Sequence, residues 1–343
     1  MAYDLDSDSR LDPTIREWLR FMPGDPVNDV ASREVMVAQA MTPSATADRE
    51  AFAAIMELCD TEEVAPTKGL VVTREQFTSG SDGATLNLQI IRPDSDEVLA
   101  CVYYIHGGGM MDLSCFLGNY RAWGKIIAAQ GVAVVMIDFR NSVSPSSVAE
   151  VAPYPAGLDD CVAGLKWTHQ HAGSLGIDPT RIVVAGESGG GNLTLALGMR
   201  LKRDGDLGLV KGLYALCPYI AGRWPDDRFP SSTRNNGLFL ELHNNRGAVG
   251  YGIEAFEARD PLAWPGFAAE ADVVGLPPVV ISVNECDPLV DEGIDFYRLL
   301  LHSGVRARCR QMMGTIHASE VFPLFRPDIS RDTARDIAGF ASE

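Results

Sequence analysis

From about residue 85 onward the chain alternates two hydrophobic periods. Short apolar runs rich in β-branched residues, "TLNLQIIRP", "VLACVYYIH", "VAVVMIDFR", "RIVVAGES", "GLVKGLYALCP", "PPVVISVNECDP" and "RARCRQMMGTIH", read as strands. Between them lie "YRAWGKIIAAQG", "YPAGLDDCVAGLKWTHQHAG", "NLTLALGMRLKR" and "LVDEGIDFYRLLLHSG", with apolar positions at helical spacing, and "DTARDIAGFASE" closes the chain as a helix. Strands that are apolar throughout and alternate with helices predict a mostly parallel, doubly wound α/β sheet covered on both faces.

Two stretches break that rhythm. Residues 1–62 carry helical patterns before the first strand, in "TIREWLRFM", "SREVMVAQAM" and "DREAFAAIMELC". Residues 218–265 are rich in Pro, Gly, Asn and aromatics without a regular period. Long non-repeating insertions in a compact domain are often lids. Both stretches are therefore expected to form one cap, over a core made of 63–217 and 266–343. Trp18, Phe21, Met22, Trp224 and Phe229 are its candidate pocket-wall residues.

In a doubly wound sheet reactive groups belong at the carboxyl ends of strands. Ser188 ends "RIVVAGES" inside a Gly-x-Ser-x-Gly turn between strand and helix, Asp287 ends "PPVVISVNECD", and His317 ends "RARCRQMMGTIH". A serine hydroxyl needs a neighbouring base. Histidine can take that proton and return it, and a carboxylate fixes the tautomer of the imidazole. Each residue has a plainer use alone, Asp287 as a helix cap and His317 as a packed loop residue. Jointly, three suitable types in the order Ser, Asp, His predict a nucleophilic triad.

A second glycine cluster, "HGGGM" from His106, again follows a strand. Its Gly107 and Gly108 N–H groups, with that of Gly189, are expected to hold an oxyanion, and His106 to steady the loop. Glu187 is read as a structural group, and Glu292, with Asp291, as a supporting charge in a first helical turn. No Lys-Ser/Thr follows the glycines as in a phosphate-binding loop, and no His or Cys pair has metal-ligand spacing. No cofactor and no metal are expected.

Composition narrows the field. The formal charge of -17 opposes binding to a phosphate backbone or an anionic membrane surface. The first residues lack a basic segment followed by an apolar one, and no apolar run approaches the roughly 20 residues of a membrane-spanning helix. Seven scattered Cys without a Cys-x-x-Cys pair read as buried free thiols, Cys115 included. The expectation is a cytoplasmic protein acting on a small molecule, its oligomeric state, homo-oligomer or not, left open.

Together "HGGGM", "VVMIDFRN", "GESGGGNL", "DPLAWP", "GLPPVVISVNECDPLVDEG" and "IHASEVF" resemble segments of the bacterial branch of the hormone-sensitive lipase family, over most of residues 60–343. The resemblance implies an α/β-hydrolase fold with a helical cap and a cofactor-free serine carboxylesterase that forms an acyl-enzyme, with triad Ser188, Asp287 and His317. It differs in carrying "DFRNSVSPSSVAEVAPYPAG" where most relatives have Tyr-Arg-Leu-Ala-Pro-Glu, and Gly189 where Ala is common. Short- to medium-chain esters or a compact lactone are the expected substrates. An amidase, thioesterase or acyltransferase would use the same triad, and a non-catalytic small-molecule receptor the same scaffold.

Overall fold

The structure, a computed structural model, describes residues 5–6, 8–20, 27–79 and 82–343. Eight strands form one sheet: β1 Leu70–Thr78, β2 Thr85–Pro93, β3 Leu99–Ile105, β4 Ala133–Asp138, β5 Ile177–Glu187, β6 Gly212–Leu216, β7 Val279–Asn284 and β8 Ala307–Met312. Their spatial order is β1-β2-β4-β3-β5-β6-β7-β8. Every pair from β4 to β8 is parallel, and β2 is antiparallel to both β1 and β4.

The apolar runs are explained by burial on both faces. In β3, Leu99, Cys101, Tyr103 and Ile105 enter the core on one side, while Ala100, Val102 and Tyr104 enter that on the other. Period-two alternation thus divides one apolar run between two cores. Helices Ala156–Gln170, Gly189–Asp204 and Val290–His302 cover the first side through Leu165, Leu197 and Phe296. Gly118–Ala128 and Pro327–Ser342 cover the second through Trp123 and Ile337.

Strand β1 is an addition to the reading above. Only Phe77 of its nine residues is buried, so this edge strand shows no apolar run. Its partners in β2, from Leu70↔Pro93 to Thr78↔Thr85, make it a strand.

The N-terminal region folds into helices Pro13–Leu19, Arg33–Ala40 and Pro43–Met56, capped by Asp12, Ser32 and Thr42 side chains. The insertion after β6 supplies a short helix, Ser231–Arg234, and a longer one, Arg246–Glu257. The two regions meet. Asn245 pairs with Val30 through both its amide groups, at 2.8 and 2.9 Å, and Val30, Met36, Val143 and Val249 bury one another. The residues expected to cap the site therefore contact each other directly.

Candidate active site

Ser188 stands between β5 and the helix Gly189–Asp204 with φ 56 and ψ −118, a conformation side chains rarely adopt. The surroundings hold it there: its N–H donates to Leu216 O at 3.0 Å, and its carbonyl accepts from Asn192 N and Tyr219 N at 2.9 and 3.1 Å. The turn is tight because the helix lies against β3. A Cβ on Gly190 would stand 2.0 Å from Ile105 O.

His317 and Asp287 come together as the strand ends imply. His317 Nδ1 lies 2.7 Å from Asp287 Oδ2, with both residues buried. A carboxylate accepts only, so Nδ1 carries the proton and Nε2 is left with a lone pair. Asp287 Oδ1 accepts from Leu289 N at 2.9 Å, so the carboxylate closes the turn ahead of the next helix rather than capping it, while its other oxygen meets the imidazole. Phe239, itself at φ 69, stacks over His317 with ring centres 6.5 Å apart. Ser188 and His317 open onto one cavity of about 340 Å³.

The glycine loop corrects one expectation. Gly107 N–H donates to Glu187 Oε1 at 2.6 Å and lies 3.1 Å from Tyr120 Oη, so it points away from the serine. Gly108 and Gly109, both at positive φ, line the cavity instead. A Cβ on Gly108 would fall 2.1 Å from Asp112 O. Gly189 is the first residue of its helix, where N–H groups lack intrahelical acceptors, and a Cβ there would approach Gly109 N to 2.7 Å. The backbone of Gly189 thus lies against that of Gly109, beside Gly108 on the cavity wall. A buried carboxylate one residue before Ser188 takes the first amide.

Glu187 also accepts from Tyr120 Oη at 2.6 Å and Tyr104 Oη at 2.5 Å, and burial raises it to about 7. His106 is buried, stacked on Phe139 at 4.3 Å, with Nδ1 3.0 Å from Gly107 O. The unusual segment after β4 supports the loop in its own way. Ser142 N donates to Met110 O, and Asn141 Nδ2 to Leu113 O at 2.8 Å. Arg140 is anchored on buried Asp160 through three hydrogen bonds.

Glu292 lies one layer back. Its carboxylate accepts from Ile220 N, Ala221 N and Trp224 Nε1 at 2.7, 3.1 and 2.6 Å, which pins the turn after β6, and burial raises it to about 8. Asp291 accepts from Ser231 N at 2.7 Å. Among the described residues one group has metal-ligand types in reach, Cys217, Asp287 and His317, with ligand atoms within 4.8 Å. Two of them already share a hydrogen bond, and burial pushes the Cys217 thiol well up. Cys115 is fully buried, its thiol directed at Met136 O.

The aromatic pocket candidates fare differently. Trp18 packs behind the wall, against Phe239, Phe322 and Phe325. Trp224 stacks behind Tyr219 and spends its indole N–H on Glu292, and Phe229 is buried beneath Arg228. None of these three lines the cavity. A cap aromatic that must bury its own ring fills the cap first. Phe21 and Met22 lie outside the described residues. The walls are instead Phe52, Leu113, Phe239, Leu242, Val321 and Phe322, with Tyr219 beside the serine and Arg246 at the rim. Tyr219 was discoverable as a polar aromatic at the carboxyl end of β6; Phe239 sits in an aperiodic loop and gave no such signal.

Known proteins resemble this chain in sequence and fold. A family model described as the alpha/beta hydrolase fold matches residues 102–321. Carboxylesterase NlhH of Mycobacterium tuberculosis is 32% identical over 270 residues, spanning 77% of this chain and 81% of that protein. The solved structure of esterase Est22 is 60% identical, with a TM-score of 0.97 over 99% of this chain and 100% of the other. Brefeldin A esterase, described as a bacterial homologue of human hormone-sensitive lipase, is 35% identical, with a TM-score of 0.85 over 98% of this chain and 94% of that one.

Proposed function

Because this chain belongs to the α/β-hydrolase family and is a carboxylic ester hydrolase, we propose that Ser188 is its nucleophile, His317 its general base and acid, and Asp287 the group that orients His317. The observation that carries the assignment is the 2.7 Å bond between His317 Nδ1 and Asp287, made at the wall of the cavity that Ser188 also lines.

Ser188 Oγ attacks the ester carbonyl carbon and its proton passes to His317 Nε2. The carbonyl oxygen becomes an oxyanion facing the N–H groups of Gly108, Gly109 and Gly189. The ester C–O bond breaks, His317 returns the proton to the departing alcohol, and an acyl group remains on Ser188. Water then attacks that acyl group, giving its proton to His317, and the carboxylic acid leaves as Ser188 regains its hydrogen. Backbone donors and one imidazole suffice, and no cofactor enters a step.

A mostly apolar cavity of about 340 Å³ suits short- to medium-chain esters or a compact lactone. We also read residues 1–62 and 218–265 as one cap, supported by the Asn245–Val30 pairing. Among the described residues no helix is long and apolar enough to cross a membrane. The seven unpaired cysteines suit a reducing compartment, which supports a cytoplasmic location.

The test compares p-nitrophenyl acetate and butyrate hydrolysis by wild type and Ser188→Ala, with mass spectrometry after a fluorophosphonate. Turnover by wild type, a single adduct on Ser188 and an inactive variant are expected. A folded wild type that neither turns over nor labels would overturn the assignment. Matched thioester and amide substrates rank the other acyl transfers that the same triad allows.

A further inference from the structure

We infer that the hydroxyl of Tyr219 determines specificity by hydrogen-bonding a second oxygen function of the substrate, so that small esters bearing a neutral hydroxyl or carbonyl oxygen near the ester are favoured over plain alkyl esters of equal length. The inference deepens the ester-hydrolase reading and rests on it.

The cavity wall is apolar around Phe52, Leu113, Phe239, Leu242 and Phe322, and Tyr219 places a polar atom among them. Tyr219 is 7% exposed, yet among the described residues its hydroxyl has no hydrogen-bond partner. The comparison with other buried tyrosines is instructive. Tyr103, Tyr104, Tyr120 and Tyr214 each donate to a carbonyl or carboxylate. Tyr251 also lacks a partner, but it lies outside the cavity wall. Unlike the enclosed Tyr251 hydroxyl, that of Tyr219 is open to the cavity, where a substrate oxygen can take the place of water.

Tyr219 is tied to the serine turn and shares the cavity wall with Ser188. The Tyr219 N–H donates to Ser188 O at 3.1 Å, and its ring edge passes 3.9 Å from where a Cβ of Gly109 would stand. The hydroxyl abuts Gly247, whose Cβ would come within 2.1 Å of it, so the glycine leaves the space that the hydroxyl occupies. Gly247 is the second residue of the helix Arg246–Glu257, where backbone N–H groups face outward. The ring is held from behind: Trp224 stacks on it at 4.5 Å, Trp264 packs at 5.6 Å, and Glu292 fixes Trp224 and the turn beneath. Little ordering remains to be done when a substrate arrives.

The charges at the rim select the kind of oxygen. Arg246 bonds Gln39 Oε1 at 3.1 Å, while the Glu241 carboxylate lines the same cavity. With Arg246 set against the Glu241 carboxylate, and the Glu187 carboxylate also on the wall, a neutral oxygen is a better match than a carboxylate. Burial pushes the Tyr219 phenol up, so it stays protonated and can donate or accept.

The experiment measures kcat/KM for ethyl 3-hydroxybutyrate and ethyl butyrate with wild type and Tyr219→Phe, a change that keeps the stacked ring. Wild type should prefer the hydroxy ester, and the preference ratio should fall roughly three- to tenfold in the variant, the worth of one neutral hydrogen bond. A wild-type ratio at or below one overturns the inference. So does an equal loss on both esters, which would make the hydroxyl a structural group. The same ratio is read as dissociation constants in the Ser188→Ala background, with and without Tyr219→Phe. Absence of turnover by wild type would sink the hydrolase reading, while this binding ratio still judges the Tyr219 site.

Discussion

The amide of Gly107 and the carboxylate of Glu187 are joined by a 2.6 Å hydrogen bond that ties the glycine loop after β3 to the turn after β5. The bond couples the two segments that carry the proposed oxyanion donors. Gly108 and Gly109 follow directly on the held amide, and Gly189 is two residues beyond the holding side chain. Glu187 is therefore a positioning residue whose effect passes through backbone it does not itself expose to substrate.

Replacing Glu187 with Gln tests that coupling. Glutamine keeps one acceptor but turns an NH2 toward a group that now donates, so either Tyr104 or both Gly107 and Tyr120 lose their acceptor. The expected result is a fall in kcat of about tenfold or more, part of what losing one oxyanion donor costs. KM should change much less, because the donors act on charge that develops in the transition state. A rise in KM with unchanged kcat would refute the positioning role.

Gly189→Ala approaches the same site from the other side. Its Cβ would stand 2.5 Å from Met110 N and 2.7 Å from Gly109 N, and backbone cannot rotate out of the way as a side chain can. The loop must shift, so kcat should drop roughly 10- to 100-fold. Thermal unfolding should show the fold intact. Full activity in this variant would mean that the loop is looser than its contacts imply.

Phe239→Ala addresses chain length. The ring bridges Trp18 on one side and His317 on the other while lining the cavity. Removing it lengthens the cavity toward the N-terminal helix, and the ratio of octanoate to butyrate kcat/KM should rise about tenfold, the worth of roughly one or two further buried methylenes. Butyrate activity should itself fall as His317 loses its stacking partner. An unchanged chain-length profile would place the acyl group elsewhere.

How much of this was legible beforehand depended on what each residue had to satisfy. β3 and β4 were readable because both faces are buried and every position but Asp138 is apolar, whereas β1 is exposed along seven of nine positions and exists through its pairing with β2. The Ser188, Asp287 and His317 candidates were readable because strand ends set their places. Gly107 was misassigned because its neighbour Glu187 is eighty residues away in the chain, and nothing local says which of three consecutive amides a distant carboxylate will take. The cavity wall was the least readable part. Trp18 and Trp224 looked like substrate contacts by type, but each is consumed by packing or by an indole hydrogen bond, and Phe239 and Leu242 come from a loop without a period.

Glu292 gives a prediction about stability rather than rate. In an unfolded chain a glutamate titrates near 4.3, about the ordinary value. In the fold burial raises Glu292 to about 8, against the three hydrogen bonds that favour its ionised form. Between those pH values the folded protein holds a proton that the unfolded chain has released, so the contribution of this group is fully present below about pH 4.3 and is lost as pH rises through about 8. Glutamine does not titrate. Unfolding by urea at pH 5, 7 and 9 should therefore show Glu292→Gln gaining on wild type as pH rises, by on the order of 2 kcal/mol or more across the range. The comparison between the two proteins cancels the titration of every carboxylate that they share, including Glu187, which burial raises to about 7. Parallel stability curves would mean that the Ile220, Ala221 and Trp224 donors stabilise the carboxylate as well as water does. The turn that carries Tyr219 would then rest on an ionised anchor at neutral pH.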